Sequence, residues 1–246
     1  MRRSGLYSFT KPVVLLSGGA DSLTLATDII LNPHRYRHNT ELPALIHFMI
    51  DDRVHRHVSD LVRTKQIPYL ERIAGKKLER YFVNLDRTLI FKKPKKPTPR
   101  NTPVTSFDMH RSGLTPTLHL TMLSIAFNYA ASIRANRVYA AFLMDPQRWK
   151  DYYENGPDHS EDTPNFVENF NAFAHEGGTV DNVFLIAPFL DAEMSKTSVL
   201  MLAEQLEVPL EITHTCVWSI NECGKCNACF IYKQGCKELG HDPRRK

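Results

Sequence analysis

A chain of 246 residues with 42% apolar side chains, 24% charged side chains and a formal net charge of +4 has the composition of an ordinary folded protein. That length suffices for one α/β domain with a well-buried core and a small appendage. No apolar run approaches the roughly 20 residues that span a bilayer. The basic start Met1-Arg2-Arg3-Ser4-Gly5 leads into no signal-type apolar core, and the mild charge does not argue for nucleic acid; a soluble cytoplasmic protein is expected.

The first apolar run, Pro12-Val13-Val14-Leu15-Leu16, predicts a strand over 13–17. It breaks at once into Ser17-Gly18-Gly19-Ala20-Asp21-Ser22 and a helix over 21–31. Two glycines without Cβ atoms let the backbone turn sharply and bring its N–H groups close to oxyanions. Ser17 and Ser22 add hydroxyl donors, and Ser22 falls in the first helical turn, where the macrodipole favours negative charge. Asp21 is read either as the N-cap or as a ligand of the Mg²⁺ that bridges it to phosphates. The loop lacks the Gly-Lys-Ser/Thr ending of a Walker A sequence.

Further along, a strand is expected over 44–50, then a helix over 58–75 that Pro68 kinks or splits, then a strand over 81–85. Residues 91–100 hold five cations, three prolines and no acid, so they form an exposed loop. It is read as a lid for a polyanionic ligand, a contact for an acidic partner, or a plain solvated loop. A helix over 117–134 places Leu118, Met122, Ile125, Ala126 and Tyr129 in the core. A strand over 138–143, a helix over 164–175, a strand over 183–187 and helices over 196–206 and 227–239 complete the series. This alternation, with fully apolar strands, predicts an α/β fold built on a parallel five-stranded sheet covered on both faces. Ligands bind such sheets beyond the carboxyl ends of the strands, where the serine–glycine loop emerges.

All five cysteines fall late in the chain: Cys216, Cys223, Cys226, Cys229 and Cys236. Cys223-Gly224-Lys225-Cys226-Asn227-Ala228-Cys229 holds two overlapping C-x-x-C units, and Cys216 can fold back as a fourth thiolate. Four thiolates at this spacing suit tetrahedral Zn²⁺, with Gly224 at the tight turn between ligands. An odd cysteine count in a cytoplasmic chain makes disulfides a poor alternative. A four-sulfur site is closed, so its expected role is to pin the C-terminal segment against the sheet edge. Cys236 is left as a packing residue, and His214 as either a substitute ligand or a hydrogen-bonding structural residue.

The serine–glycine loop resembles the pyrophosphate loop (PP-loop) of the ATP pyrophosphatase superfamily. Together with the cysteine cluster it resembles the cyano-deazaguanine synthase (QueC) family. That resemblance also runs through Leu123-Ser124-Ile125-Ala126, Asn165-Phe166-Val167-Glu168-Asn169-Phe170-Asn171, Ala187-Pro188-Phe189-Leu190-Asp191 and Val208-Pro209-Leu210-Glu211. It implies an adenine-nucleotide alpha-hydrolase-like PP-loop domain over 1–210. A C-terminal zinc knuckle over 211–246 belongs to the same compact unit, and the whole forms a homodimer. It implies ATP, Mg²⁺ and Zn²⁺ as cofactors, with ATP held by Ser17, Gly18, Gly19, Asp21 and Ser22 and zinc by Cys216, Cys223, Cys226 and Cys229. Asp21 and Lys196 are the expected catalytic residues. Lys196 is read as an electrostatic stabiliser near the phosphates or as a solvated lysine, although a helix N-terminus disfavours a cation. Asp191 is read as a helix cap or a substrate contact.

The chemistry that the resemblance implies is adenylation of the carboxylate of carboxy-deazaguanine and displacement of AMP by ammonia, followed by a second activation of the amide that leaves the nitrile. The chain departs from the family where substrate and amine are expected to bind. It has Thr117-Leu118-His119 for Gly-Arg-Asn, Glu161-Asp162-Thr163 for Asp-Cys-Arg and Ile50-Asp51-Asp52-Arg53 for Asp-Tyr-Gly-Gln. Its segment 145–160 is also longer, with Trp149, Tyr152 and Tyr153. These departures open a variant in which a macromolecular amine, such as a protein N-terminus or lysine, replaces ammonia. A reading of another class is a zinc-knuckle protein that binds or modifies tRNA. The small basic excess and the absence of length for an added RNA-binding domain weigh against it.

Overall fold

The structure is a computed structural model that describes residues 11–36, 41–50, 52–85, 118–144, 154, 163–176 and 183–244. The cationic segment 91–100, the aromatic segment 145–160 (apart from Glu154), Asp51, Thr117, Glu161 and Asp162 lie outside the described residues.

Five strands form one parallel sheet: β1 (Pro12–Leu15), β2 (Ala44–Ile50), β3 (Arg80–Leu85), β4 (Arg137–Tyr139) and β5 (Phe184–Ile186). Their spatial order is β3-β2-β1-β4-β5, so β1 is central. Successive strands leave β1 first to one side and then to the other, and the reversal between β1 and β4 is the switch point at whose carboxyl end such sheets bind their ligands. Val13 pairs with Ala44 on one side and with Val138 on the other. Pro12, which has no N–H to give, stands at the first position of the strand. The last two strands are shorter than the apolar runs predict. β5 stops at Ile186 because Pro188 starts a short helix, and β4 loses its partner there.

The helices cover both faces. On one side α1 (Ala20–Leu31), α2 (Arg53–Leu61) and α3 (Ile67–Ala74) pack with α7 (Lys196–Gln205) and α8 (Asn227–Leu239). There Val14, Leu16 and Leu45 meet Leu23, Leu70, Leu200 and Tyr232. On the other, α4 (Leu118–Ser132) and α5 (Pro164–Glu176) set Leu123, Phe127 and Phe170 against Val13, Ile46 and Leu185. In the segment between these layers, α6 (Pro188–Asp191) is a single turn. The buried face of α4 is Leu123, Ala126, Phe127 and Ala130, which corrects the expected set. Of that set only Ala126 is buried, while Met122, Ile125 and Tyr129 are half-buried and the side chain of Leu118 lies outside the described residues. The helix is apolar nearly all round, so spacing alone does not fix which stripe turns inward.

The second helical stretch starts five residues earlier than expected, because Asp52 caps it through the His55 backbone N–H at 2.9 Å. It then widens into a π turn, Val62–Gln66, before Pro68. A proline ring clashes with the carbonyl four residues back and supplies no N–H, and the wide turn absorbs both faults without ending the helix. No helix among the described residues is long and apolar enough to cross a membrane.

Candidate functional site

The loop that leaves β1 is braced from within by its own serines. Ser17 hydroxyl donates to Ser22 Oγ at 2.9 Å, Ser22 hydroxyl donates to the Gly19 carbonyl at 3.1 Å, and Gly19 N–H returns to Ser17 Oγ at 3.3 Å. Ser17 N–H also donates to Ser22 Oγ, at 3.1 Å. Ser22 is buried and Ser17 is exposed, so the brace runs from the core to the outer rim of the loop.

Gly18 has φ +92°, and a Cβ there would lie 2.3 Å from Val58 Cγ1. Its carbonyl points inward, where it accepts from Gln66 Nε2 at 2.9 Å and from His214 N–H at 3.1 Å. Gly19 is the N-cap of α1, which corrects the cap alternative for Asp21. A glycine with extended φ and ψ serves there because its carbonyl already accepts from Leu23 N–H at 3.2 Å. Asp21 sits instead inside the first turn, and its carboxylate takes the Lys196 ammonium at 2.6 Å.

Lys196 comes from the first turn of α7, whose N-cap Ser195 accepts from Ser198 N–H at 3.1 Å. The dipole cost of a cation there is offset by the Asp21 carboxylate and by the Tyr232 ring, whose centroid lies 5.8 Å from the ammonium. Gly235 of α8 makes room for the lysine stem: a Cβ there would stand 2.9 Å from Lys196 Cγ. The side chain is only 13% exposed, so a solvated lysine is not what the fold builds. Asp191 ends α6, while Ala187 and Ser195 are the N-caps of α6 and α7; the cap alternative for Asp191 fails, and its side chain is exposed.

Beside the loop, His47 of β2 donates from Nδ1 to the Leu16 carbonyl at 2.7 Å, and burial pushes its pKa below the usual histidine range. The His57 and His214 rings meet edge to face at 5.6 Å, and Asp52 holds His55 Nδ1 at 2.7 Å. Gln66, His47, Gly235 and Tyr232 all bear on the loop or on Lys196, and sequence reasoning missed them. Their partners lie tens of residues away, as in the separation of 146 between Gln66 and Ile212, and each position reads locally as an ordinary helix or strand residue.

The thiol sulfurs of Cys216, Cys223, Cys226 and Cys229 all lie within 4.8 Å of one another, with Cys226 and Cys216 at 3.9 Å. A zinc tetrathiolate has sulfur–sulfur edges of about 3.8 Å for Zn–S bonds of about 2.3 Å, so the donor set fits that ion. Backbone N–H groups already serve these sulfurs. Cys226 N–H and Lys225 N–H donate to Cys223 Sγ at 3.3 and 3.4 Å, and Trp218 N–H donates to Cys216 Sγ at 3.4 Å. The donors bring the Cys223 thiol down to about 6, led by the Lys225 N–H. Gly224 takes φ +68° at the knuckle turn, as its place between ligands predicts. Cys236 packs against the main core. His214 is not in the set and donates from Nε2 to the Cys216 carbonyl at 2.7 Å. The segment is anchored to the loop after the central strand by the His214 N–H and to α7 through α8.

A family model for the queuosine biosynthesis protein QueC matches residues 11–240. The chain belongs to the QueC family. Within it, the chain is 29% identical over 134 residues to the 7-cyano-7-deazaguanine synthase of Methanococcus maripaludis strain C7, which covers 51% of this chain and 52% of that protein. The synthase of Oceanobacillus iheyensis is 30% identical over 127 residues, with 51% and 52% covered. The chain thus spans about half the length of these relatives. The synthase of Leptospira biflexa is 25% identical over 240 residues, covering 93% of this chain and 90% of that one. Among solved structures, the U34-tRNA thiolase NcsA from Methanococcus maripaludis with its 4Fe-4S cluster is similar at 17% identity and a TM-score of 0.47, covering 96% of this chain and 70% of that one.

Proposed function

We propose that this chain is an ATP-dependent carbon–nitrogen ligase. It adenylates the carboxylate of 7-carboxy-7-deazaguanine and gives the activated carbon to ammonia, yielding the amide and then the nitrile, 7-cyano-7-deazaguanine. The observation that carries this reading is the pairing of Asp21 with Lys196 beside a glycine loop at the carboxyl end of the central strand, in a chain of the QueC family. A carboxylate becomes an electrophile once its oxygen attacks the α-phosphorus of ATP and pyrophosphate leaves. Ammonia then attacks the acyl carbon, AMP leaves and the nitrogen sheds a proton. The same activation at the amide oxygen, with loss of AMP and of the two protons that remain on the nitrogen, leaves the nitrile.

In this reading the Gly19 N–H and the Ser17 hydroxyl turn from their bonds within the brace to the departing diphosphate, and Ser22 and Gly18 keep them in register. Lys196 sets a positive charge where negative charge gathers on the leaving oxygens. Asp21 would hold Mg²⁺, which supplies charge neutralisation at the diphosphate. The four thiolates would hold Zn²⁺ in a closed, structural role. Residues 1–210 carry this chemistry, 211–246 complete the same unit, and the assembly is a cytoplasmic homodimer.

Incubation with 7-carboxy-7-deazaguanine, ATP, Mg²⁺ and ammonia, read by mass spectrometry and nucleotide chromatography, tests the proposal. The expected products are AMP, pyrophosphate and the amide or nitrile. Formation of ADP, or undiminished ATP cleavage in Asp21→Ala, would contradict it. The altered residues at the end of β2 and at the start of α4 favour a second outcome in the same assay, in which the acyl adenylate is captured by a protein amine. A deazaguanine mass added to an intact protein, with no free nitrile, would identify it.

A further inference from the structure

Resting on the reading of the loop as a nucleotide site, we propose that Gln66 is a positioning residue that couples the phosphate loop to the four-cysteine cluster. Loading the cluster with Zn²⁺ then raises the affinity of the loop for Mg-ATP.

The argument begins at one peptide plane. A trans peptide directs its carbonyl and the following N–H to opposite sides. The Gly18 carbonyl is drawn inward by Gln66 Nε2 at 2.9 Å and His214 N–H at 3.1 Å. The Gly19 N–H is therefore turned outward, to the exposed Ser17 hydroxyl at 3.3 Å. The inward bonds thus aim the outward donor.

Gln66 is fully buried, and its Nε2 gives its second proton to the Ile212 carbonyl at 3.0 Å. Both partners are carbonyl oxygens, so the nitrogen must face them. Its Oε1 has no hydrogen-bond partner among the described residues. A buried unpaired acceptor disfavours folding relative to an apolar side chain of the same shape. An amide kept here despite that cost is explained by the two carbonyls it joins, one in the loop and one in the segment that leads to the cysteines. Two residues beyond Ile212, His214 gives its backbone N–H to Gly18 and its ring N–H to the carbonyl of Cys216, a cluster ligand. A chain of bonds thus runs from Cys216 through His214 to the Gly18 carbonyl, and Gln66 ties that same carbonyl to Ile212, two residues before His214. The Gly18–Gly19 peptide is held only when both bonds to its carbonyl are in place. When the cluster holds its ion, the position of Cys216 is fixed and the chain is held. Linkage then requires Mg-ATP to tighten the hold on Zn²⁺ by the same factor.

The test uses the full-length protein, once with one Zn²⁺ per chain and once after removal by a chelator. Calorimetric titration with Mg-ATP is expected to show at least a tenfold weaker affinity after metal removal. Zinc affinity, measured in competition with a chromophoric chelator, is expected to rise by the same factor in saturating Mg-ATP. Gln66→Met keeps the volume and removes both donors. It is expected to retain one Zn²⁺ per chain, to bind Mg-ATP at least tenfold more weakly, and to show less than twofold coupling in either direction. A zinc-loaded Gln66→Met with wild-type affinity overturns the proposal, as does a wild-type affinity indifferent to metal removal. The second of these needs no substitution, so the proposal stays testable even where the variant does not fold. A zinc-loaded wild-type protein that binds no ATP overturns the nucleotide reading itself, and the coupling with it.

Discussion

Gly18 and Gly19 are neighbours, yet physical chemistry asks opposite things of them. Gly18 combines a left-handed φ with a Cβ position 2.3 Å from Val58 Cγ1. Gly18→Ala is therefore expected to lower stability by about 3 kcal/mol, from overpacking of the core and the left-handed penalty together, as read by denaturant unfolding. Gly19 has ordinary extended angles, and the nearest atoms to an added Cβ are 3.5 and 3.7 Å away. Gly19→Ala is expected to unfold within about 0.5 kcal/mol of wild type and, on the proposed reading of the loop, to lose nucleotide binding, because the added methyl would stand in the path proposed for a phosphate. His47 supplies a third prediction at this scale. Burial holds its pKa below the ordinary value of 6.5, so the unfolded chain binds the proton more readily. Stability is then full above pH 6.5 and falls as pH drops below it. Thermal melts between pH 7 and pH 5 are expected to show that slope. His47→Gln, which can still donate to Leu16, is expected to flatten part of it, the remainder coming from His214, which burial lowers in the same direction.

Between elements, α7 packs closely on α8 at Lys196 and Gly235, where an added Cβ would stand 2.9 Å from Lys196 Cγ. Gly235→Ala gains about 1 kcal/mol of helix propensity and loses about 1–3 kcal/mol to overlap with Lys196 and Leu200. The net change in melting is expected to be small. ATP turnover is expected to fall on the order of 100-fold, the scale of losing one charge-stabilising donor, because the lysine stem is pushed from its place at Asp21. Such packing is not written locally. The apolar runs reveal all five strands, but for two reasons. The inner strands β1, β2 and β4 are largely buried and must be apolar, whereas the edge strand β3 is mostly exposed or half-buried and is not the doubly covered strand that its run suggests. Pro68 likewise announces the irregular turn that Val62–Gln66 adopts. What the runs do not reveal is which stripe of α4 turns inward, or that a glutamine in mid-helix faces Gly18 and Ile212. Helical period fixes a face only when the opposite face is polar, and bonds between residues 48 or 146 apart leave no periodic trace.

Over the whole molecule, the four-cysteine cluster is legible because its ligands lie close in sequence, whereas its contact with the loop after β1 is a matter of topology alone. Removal of the ion, or Cys226→Ser, is expected to lower the melting temperature and to raise hydrogen exchange over residues 210–240 first, since Cys216, Cys226 and Cys229 form a small core of their own. Elemental analysis of the untreated protein is expected to give one zinc per chain. The two hydrogen bonds on the Gly18 carbonyl also set an order on biosynthesis. The loop is translated near the start of the chain, but the His214 N–H that completes it emerges almost two hundred residues later. A nascent chain without that strap leaves the Gly18 carbonyl half-satisfied, and on the proposed reading the loop is expected to gain its affinity for ATP only after residue 214 has been made.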